Sequence, residues 1–310
     1  MRNITVPSVP SIVWWFSETS ITIHGPKKIE LCLLTSLAVY NKRVLKNCDV
    51  KQAFVQSTLP DNEVYFLKPP PGCPRSQPDQ YWRLIRSLYG LKRAPCIWFD
   101  TLCCHLWSLG LRNSATSPCL FTGHILEGAP PIYISIYVDD IIYFSSSDEV
   151  EKFFEEKLNG LVSVDFMGQV SHFLGREFSW HHHEDGNLTV NLTQQSFAEI
   201  LIESFGYGSM STSTFTTPYH SGYPIDSIPH EEMSSTQRDA LRLQYQSLVG
   251  SLNWLAHTTR PDLSTVVSLL AQHQSNPSSG HLDAAQYVVK YLVNTKSLGI
   301  YFTSWKRPIF

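Results

Sequence analysis

The 310-residue chain is 43% hydrophobic and 12% aromatic, which excludes a disordered protein and supplies enough apolar surface for one large or two smaller packed bodies. No apolar run approaches the roughly 18–20 residues of a spanning helix, and the proline-broken start VPSVPSIVWWF has only Arg2 before it, so a soluble chain without a secretory leader is expected. The formal net charge of −3 conceals a division, because residues 1–120 carry 14 Lys/Arg against 7 Asp/Glu and residues 121–310 carry 10 against 20; the first part suits a polyanion, the second cations or solvent.

Residues 1–28 are irregular and punctuated by proline. IELCLLTSLAVY, from Ile29 to Tyr40, predicts a buried helix, and VLKNCDV after it reads as a strand. Pro60, Pro69, Pro70, Pro71, Pro74 and Pro78 then mark an irregular connection. A second helix is predicted from Pro95 to Gly110, with Ile97, Trp98, Leu102, His105, Leu106 and Leu109 near helical spacing. Cys103 and Cys104 stand in it before His105, but no second Cys/His pair lies at a zinc-site distance. Seven cysteines, an odd number without framework spacing, suggest a reducing compartment.

IYISIYVDDIIYF, from Ile132 to Phe144, has the composition of two strands meeting at a tight turn. SSSDEVEKFFEEKLNG follows as a helix with Ser147 or Asp148 as its N-cap and acids in its first turn. FLGREFSW and NLTVNL read as strands around a turn at Asp185 and Gly186. TQQSFAEILIESFGY predicts a helix with Phe197, Ile200, Leu201 and Phe205 on one face, closed by Gly206. Residues 208–236, rich in Ser, Thr and Pro, are the expected linker. Three helices are then predicted, in YQSLVGSLNWLAHTT, RPDLSTVVSLLAQH and HLDAAQYVVKYL.

The chemistry concentrates at Asp139 and Asp140. Two adjacent carboxylates in an apolar run repel each other and resist ionisation. A hairpin turn is one reason to place aspartates there. A divalent cation is another, since hard oxygen ligands suit Mg²⁺ or Mn²⁺, and such a site wants a further carboxylate at a strand end. Asp49, after the strand-like run and before a helix, is that candidate, although a cap or turn explains a lone aspartate equally well. His181, His182 and His183, with His172 nearby, offer imidazoles but sit in a polar turn.

YVDD in a hydrophobic hairpin resembles the catalytic motif of reverse transcriptases, and the blocks around it resemble the polymerase of copia-type LTR retrotransposons. CDVKQAFVQSTLPDNEVYFLKPPPG, LIRSLYGLKRAPCIWFDTL, SPCLF, HFLGREF, LTQQSFAEILIESFGY, YQSLVGSLNWLAHTTRPD and AAQYVVKYL occur in that family's order, over roughly residues 30–302. The resemblance implies an α+β right-hand polymerase: palm and partial fingers over 29–190, a thumb beginning at 191–207, and a helical thumb or connection over 237–310. It implies that Asp49 and Asp139 hold the metal ions, Mg²⁺ or alternatively Mn²⁺, and that Asp140 is the third acid. It further assigns Phe54 to the wall excluding a 2′-hydroxyl, Gly90 to close backbone approach near nucleotide and template, and Tyr137 to packing at the primer end. Phe173, Leu174 and Gly175 match the hairpin that grips the primer, and Lys92 and Arg93 are candidate phosphate or template contacts.

The implied partners are an RNA or DNA template with its primer, dNTPs, and the other domains of a Pol polyprotein, in a cytoplasmic particle or the nucleus. Cys48 replaces the family's usual methionine, and VQS replaces LNG after the aromatic. The family's upstream basic strands and its RNase H domain are not matched. An inactive remnant that at most binds nucleic acid therefore stands beside the active polymerase, and a two-metal nuclease of another fold is a third reading that leaves Phe54 and LYGLKRAP unexplained.

Overall fold

The protein is described by a computed structural model covering residues 3–4, 28–70, 72–73, 80–209, 215–219, 225 and 233–304. Most of the irregular start at 1–28 and of the expected linker at 208–236 lies outside the described residues. The chain forms two compact units, residues 1–170 and 171–310.

In the first unit the elements are β1 (Asn3–Ile4), α1 (Lys28–Tyr40), β2 (Lys46–Val50), the single turn α2 (Ala53–Gln56), β3 (Phe66–Leu67), β4 (Tyr81–Arg83), α3 (Ala94–Ser108), β5 (Arg112–Asn113), β6 (Leu120–Gly123), β7 (Ile132–Tyr137), β8 (Asp140–Ser145), α4 (Asp148–Leu161) and β9 (Val164–Gln169). A six-stranded sheet has the order β5-β6-β7-β8-β2-β9, and a small sheet has the order β1-β4-β3. The hairpin legible in IYISIYVDDIIYF is β7–β8, and β2 lies between β8 and β9, antiparallel to both.

Alternation along the strands gives the six-stranded sheet two different faces. Cys48, Val50, Ile141 and Tyr143 belong to a core that α3 joins with Trp98, Leu102 and Leu106, and α4 with Val150, Phe154 and Leu158. Ser147 caps α4 by accepting from the Val150 N–H, as SSSDEVEKFF predicts. The carboxylate of Glu151, only 1% exposed, accepts from the Ser145 N–H at 2.9 Å and pairs with the Lys46 ammonium at 3.0 Å. Arg43 reaches both Glu151 and Asp148, while Glu155 accepts from Lys46 at 3.0 Å and from the Tyr143 hydroxyl at 2.8 Å. A buried charge is tolerated only when it is paired, and these pairs fasten α4 to β2 and β8.

The second unit contains β10 (His172–Phe173), β11 (Arg176–His182), β12 (Leu188–Thr193), α5 (Gln195–Ser204), α6 (Ser235–Thr258), a 3₁₀ turn at Pro261–Leu263, α7 (Ser264–Ala271), α8 (Ser279–Thr295) and β13 (Ile300–Thr303). Its sheet has the order β10-β11-β12-β13. Helix α6 starts ten residues before the apolar run that signals it, because Ser234 and Gln237 close a reciprocal capping box there. On α5 the buried positions are Ala198, Leu201 and Ile202, whereas Ile200 is 65% exposed. The expected face is therefore corrected: Ile200 lies two residues, about 200° of helical rotation, from Ala198 and also from Ile202. Tyr245, Leu248 and Leu252 of α6, Val266 and Leu270 of α7, and Ala285, Val288 and Leu292 of α8 share one core. No described helix is long and apolar enough to cross a membrane.

Arg260, 2% exposed, anchors that core from the TTRPD stretch. It donates to Asp262 from Nε at 3.0 Å and from Nη2 at 2.7 Å, and to the Thr295 carbonyl and hydroxyl at 2.8 and 3.0 Å. Burial tends to push the Asp262 carboxyl up, but the bonds and charge of Arg260 and the Tyr291 hydroxyl together hold it below its ordinary value. Removing one partner of such a pair strands the other, so Arg260→Ala should cost the second unit about 3–5 kcal/mol, measured by urea unfolding at pH 7.

Candidate active site

Three aspartates cross one face of the sheet in a row. Asp49 is the direct partner of Asp140 on β8 and, on its other side, of Asp165 on β9. Directly opposed side chains on antiparallel strands have Cβ atoms about 4.5–5.5 Å apart, so three like charges are held side by side. Asp165 is neutralised by the Lys51 ammonium at 2.6 Å. Among the described residues no hydrogen-bond donor or counter-cation engages the carboxylates of Asp49, Asp139 or Asp140.

Asp139 occupies the turn of the hairpin. Tyr137 pairs with Asp140, leaving Val138 and Asp139 as the two loop residues. Val138 has φ +59° and Asp139 does not share the positive sign, the pattern of a type II′ turn, where glycine ordinarily stands first. A β-branched residue in that region is strained. Two hydrogen bonds hold it: the buried indole of Trp98 on α3 donates to the Val138 carbonyl, and the Val50 N–H donates to the Asp139 carbonyl at 2.9 Å. The turn is thereby tied to α3 and to the end of the strand that carries Asp49.

Partial burial, then the charges of Asp139 and Asp49, push the Asp140 carboxyl up to about 6. Asp49 is likewise raised, first by burial and then by Asp139 and Asp165. Hard carboxylate oxygens left without cations have the donor chemistry of an Mg²⁺ or Mn²⁺ site. Among the described residues no three Asp, Glu, His or Cys side chains converge into a closed metal cage.

The other sequence-derived positions divide between the two units. Phe54, half-buried on α2, has its ring centroid 4.6 Å from that of Tyr89. Gly90 is exposed at φ +97°, a backbone conformation that suits glycine. Lys92 is exposed, and Arg93 is engaged by Glu63 at 2.7 Å. Tyr137 is 38% exposed beside the turn. In the second unit Phe173 is buried, and Leu174 and Gly175, at φ +48° and +71°, turn the chain from β10 into β11. A Cβ on Gly175 would come within 3.2 Å of the Trp254 indole. His181 and His182 are exposed at the end of β11, and His183 meets the Thr189 hydroxyl at 2.9 Å.

Asp165 and Tyr89 carry no signal of their own in the sequence, and Trp98 stands out there only as a position of the predicted helix. Asp165 becomes adjacent to Asp49 through a register shifted by an irregularity between Asn47 and Cys48, which no periodicity displays. Trp98 reads as an ordinary core residue until its N–H is traced.

An acidic hairpin turn at the edge of a three-strand row of aspartates, with an aromatic pair beside it, is the kind of centre that a metal-dependent phosphoryl-transfer enzyme uses. Residues 23–220 match the family described as reverse transcriptase (RNA-dependent DNA polymerase). The putative transposon Ty5-1 protein of Saccharomyces cerevisiae is 33% identical over 257 residues, which cover 83% of this chain and 78% of that protein. The retrovirus-related Pol polyproteins from transposons RE2 and RE1 of Arabidopsis thaliana are 30% and 28% identical over 89% of this chain, which spans only 18% of either polyprotein. A foamy viral protease–reverse transcriptase, solved in complex with dsDNA, aligns over 84% of this chain and 44% of its own at a TM-score of 0.42 and 14% identity. The chain belongs to the reverse transcriptase family, in its copia-type retrotransposon branch.

The raised carboxyl of Asp140 gives a test independent of catalysis. Its folded value of about 6 lies above the ordinary value of 3.8, so the folded state binds the extra proton. The resulting stability is present below the ordinary value and is lost as pH rises towards 6. With divalent cations chelated, Asp140→Asn should remove much of that decline and stabilise the protein at pH 7 by about 1 kcal/mol, after discounting for a half-exposed group. Melting temperatures at pH 4.5 and 7 would show a gain of roughly 2–4 °C at the higher pH only.

Proposed function

We propose that this chain is an RNA-directed DNA polymerase domain acting on a primer annealed to an RNA or DNA template, with dNTPs as substrates. The observation that carries the reading is the Asp49–Asp140 cross-strand pair with Asp139 in the adjoining turn, within a chain of the reverse transcriptase family. In right-hand terms the six-stranded sheet is the palm. The segments around α2 and LYGLKRAP belong to the fingers, and the helices of the second unit are thumb and connection.

Asp49 and Asp139 would hold two divalent cations, Mg²⁺ or Mn²⁺, which when bound supply Lewis-acid stabilisation to the attacking and leaving oxygens. Asp140, with its raised carboxyl, is the third acid and adds negative potential beneath the pair. Phe54 walls the sugar against a 2′-hydroxyl, and Gly90 lets the backbone come close to nucleotide and template. Tyr137 packs at the primer end, while Phe173, Leu174 and Gly175 form a primer-gripping turn. Lys92, exposed beside Arg93, is a phosphate or template contact. The primer 3′-oxygen attacks the α-phosphorus and pyrophosphate leaves, a reaction in which the protein contributes mainly position and charge. The other domains of the Pol polyprotein are the remaining partners.

Incorporation of labelled dNTP on a primed homopolymer template with Mg²⁺ or Mn²⁺ checks the proposal. Wild type should extend the primer, and Asp139→Asn should lose at least about 100-fold in rate. Equal absence of incorporation in both would establish an inactive remnant. Trp98→Phe keeps the ring bulk but removes the N–H held by the Val138 carbonyl. Its rate should fall about 10-fold, with a smaller change in the KM for dNTP, because the turn carrying Asp139 loses its support.

A further inference from the structure

Helix α2 is four residues long, and Gln52 before it is left-handed at φ +47° without a side-chain cap. One turn of helix does not stabilise itself, so the position of Phe54 has to be fixed from outside. Gln56, the last residue of α2, exchanges hydrogen bonds with the Ser163 backbone at 2.9 and 3.2 Å, and the chain just after it is tied to residues 85–87. The Leu59 N–H donates to the Ile85 carbonyl at 3.0 Å, Thr58 bridges Arg86, and the Ser87 N–H donates to the Ser57 carbonyl at 2.9 Å. That segment runs directly into Tyr89, whose ring lies against Phe54 with centroids 4.6 Å apart and planes at 47°. Phe54 is only half-buried, and Tyr89 is 53% exposed.

We propose that Tyr89 is a positioning residue for the Phe54 ring, and that the Phe54–Tyr89 pair is the wall that selects the sugar of the incoming nucleotide. The inference rests on the polymerase reading above. Exposed aromatic surface of this size has little reason to stand at the fingers edge for packing alone. The Tyr89 phenol is raised by partial burial first and then by the charges of Asp139 and Asp49. Because the two rings are in contact, a ring that shifts at residue 89 shifts the gate at residue 54.

The test is the ratio of kcat/KM for a dNTP to that for the matching rNTP, measured on the full chain. Tyr89→Phe keeps the ring and should keep the ratio. Tyr89→Ala should lower it about 3- to 10-fold, the size expected for losing one tilted aromatic contact, chiefly by improving use of the rNTP. Tyr89→Leu, which restores bulk without a ring, should lie between them. In a Phe54→Ala background, Tyr89→Ala should change the ratio no further. A wild type that incorporates dNTP, combined with a Tyr89→Ala variant that loses dNTP and rNTP use equally, would overturn this inference alone. Undiminished additivity in the double variant would do the same. No incorporation by wild type would overturn the polymerase reading and this inference with it.

Discussion

Asp49 and Asp140 face each other across two hydrogen-bonded strands, and like charges in that relation repel. The ladder between β2 and β8 does not yield to the repulsion, because Cys48 and Ile141, the next pair along, belong to a closed core on the opposite face. The burial of one face therefore fixes the register that forces the acids together on the other. Burial first, and the neighbouring aspartates after it, leave carboxyls that resist ionisation, Asp140 most of all. On the proposed reading, a divalent cation and a triphosphate would meet carboxylates already assembled during folding, with part of the electrostatic work done.

The same sheet shows what the alternative would look like. Glu151 is more deeply buried than any of the three catalytic candidates, yet it has Lys46, Arg43 and the Ser145 N–H around it. Asp165 has Lys51. These acids are satisfied and hold the structure together. Asp49, Asp139 and Asp140 lie on or between the same few strands without such partners among the described residues, and it is this pattern of compensation, more than burial, that marks them as the candidates for chemistry.

The helices with a clear period, the β7–β8 hairpin and the cap of α4 were all legible in the sequence, because each depends on residues within one or two turns of each other. Misreadings arose where distant contacts decide. Ile200 fits an apolar stripe, but the core of the second unit meets the stripe through Ala198 and Ile202 instead. Strand β13 exists through its pairing with β12, from Thr189 to Leu192, and its four residues give little signal alone. Asp49, Asp139 and Asp140 were found through family motifs, while the physics of an acidic turn left them ambiguous. Asp165, Trp98 and Tyr89 required the register, a traced N–H and a ring contact, none of which is encoded in local pattern.

Val138 is where these constraints meet. A glycine would fill the first position of a type II′ turn without strain, and the strain of a valine there costs on the order of 1–3 kcal/mol. Valine, however, is a partly buried residue packed against the core of the first unit, which a glycine could not be. Its carbonyl is held by Trp98 and the next carbonyl by Val50. A glycine turn would be cheaper and looser; the valine turn is anchored at its side chain and at two consecutive carbonyls. On the proposed polymerase reading Asp139 has to keep its carboxylate within reach of Asp49 despite mutual repulsion, and there anchoring is the property that matters, because a displacement of about 1 Å is enough to spoil a near-attack geometry.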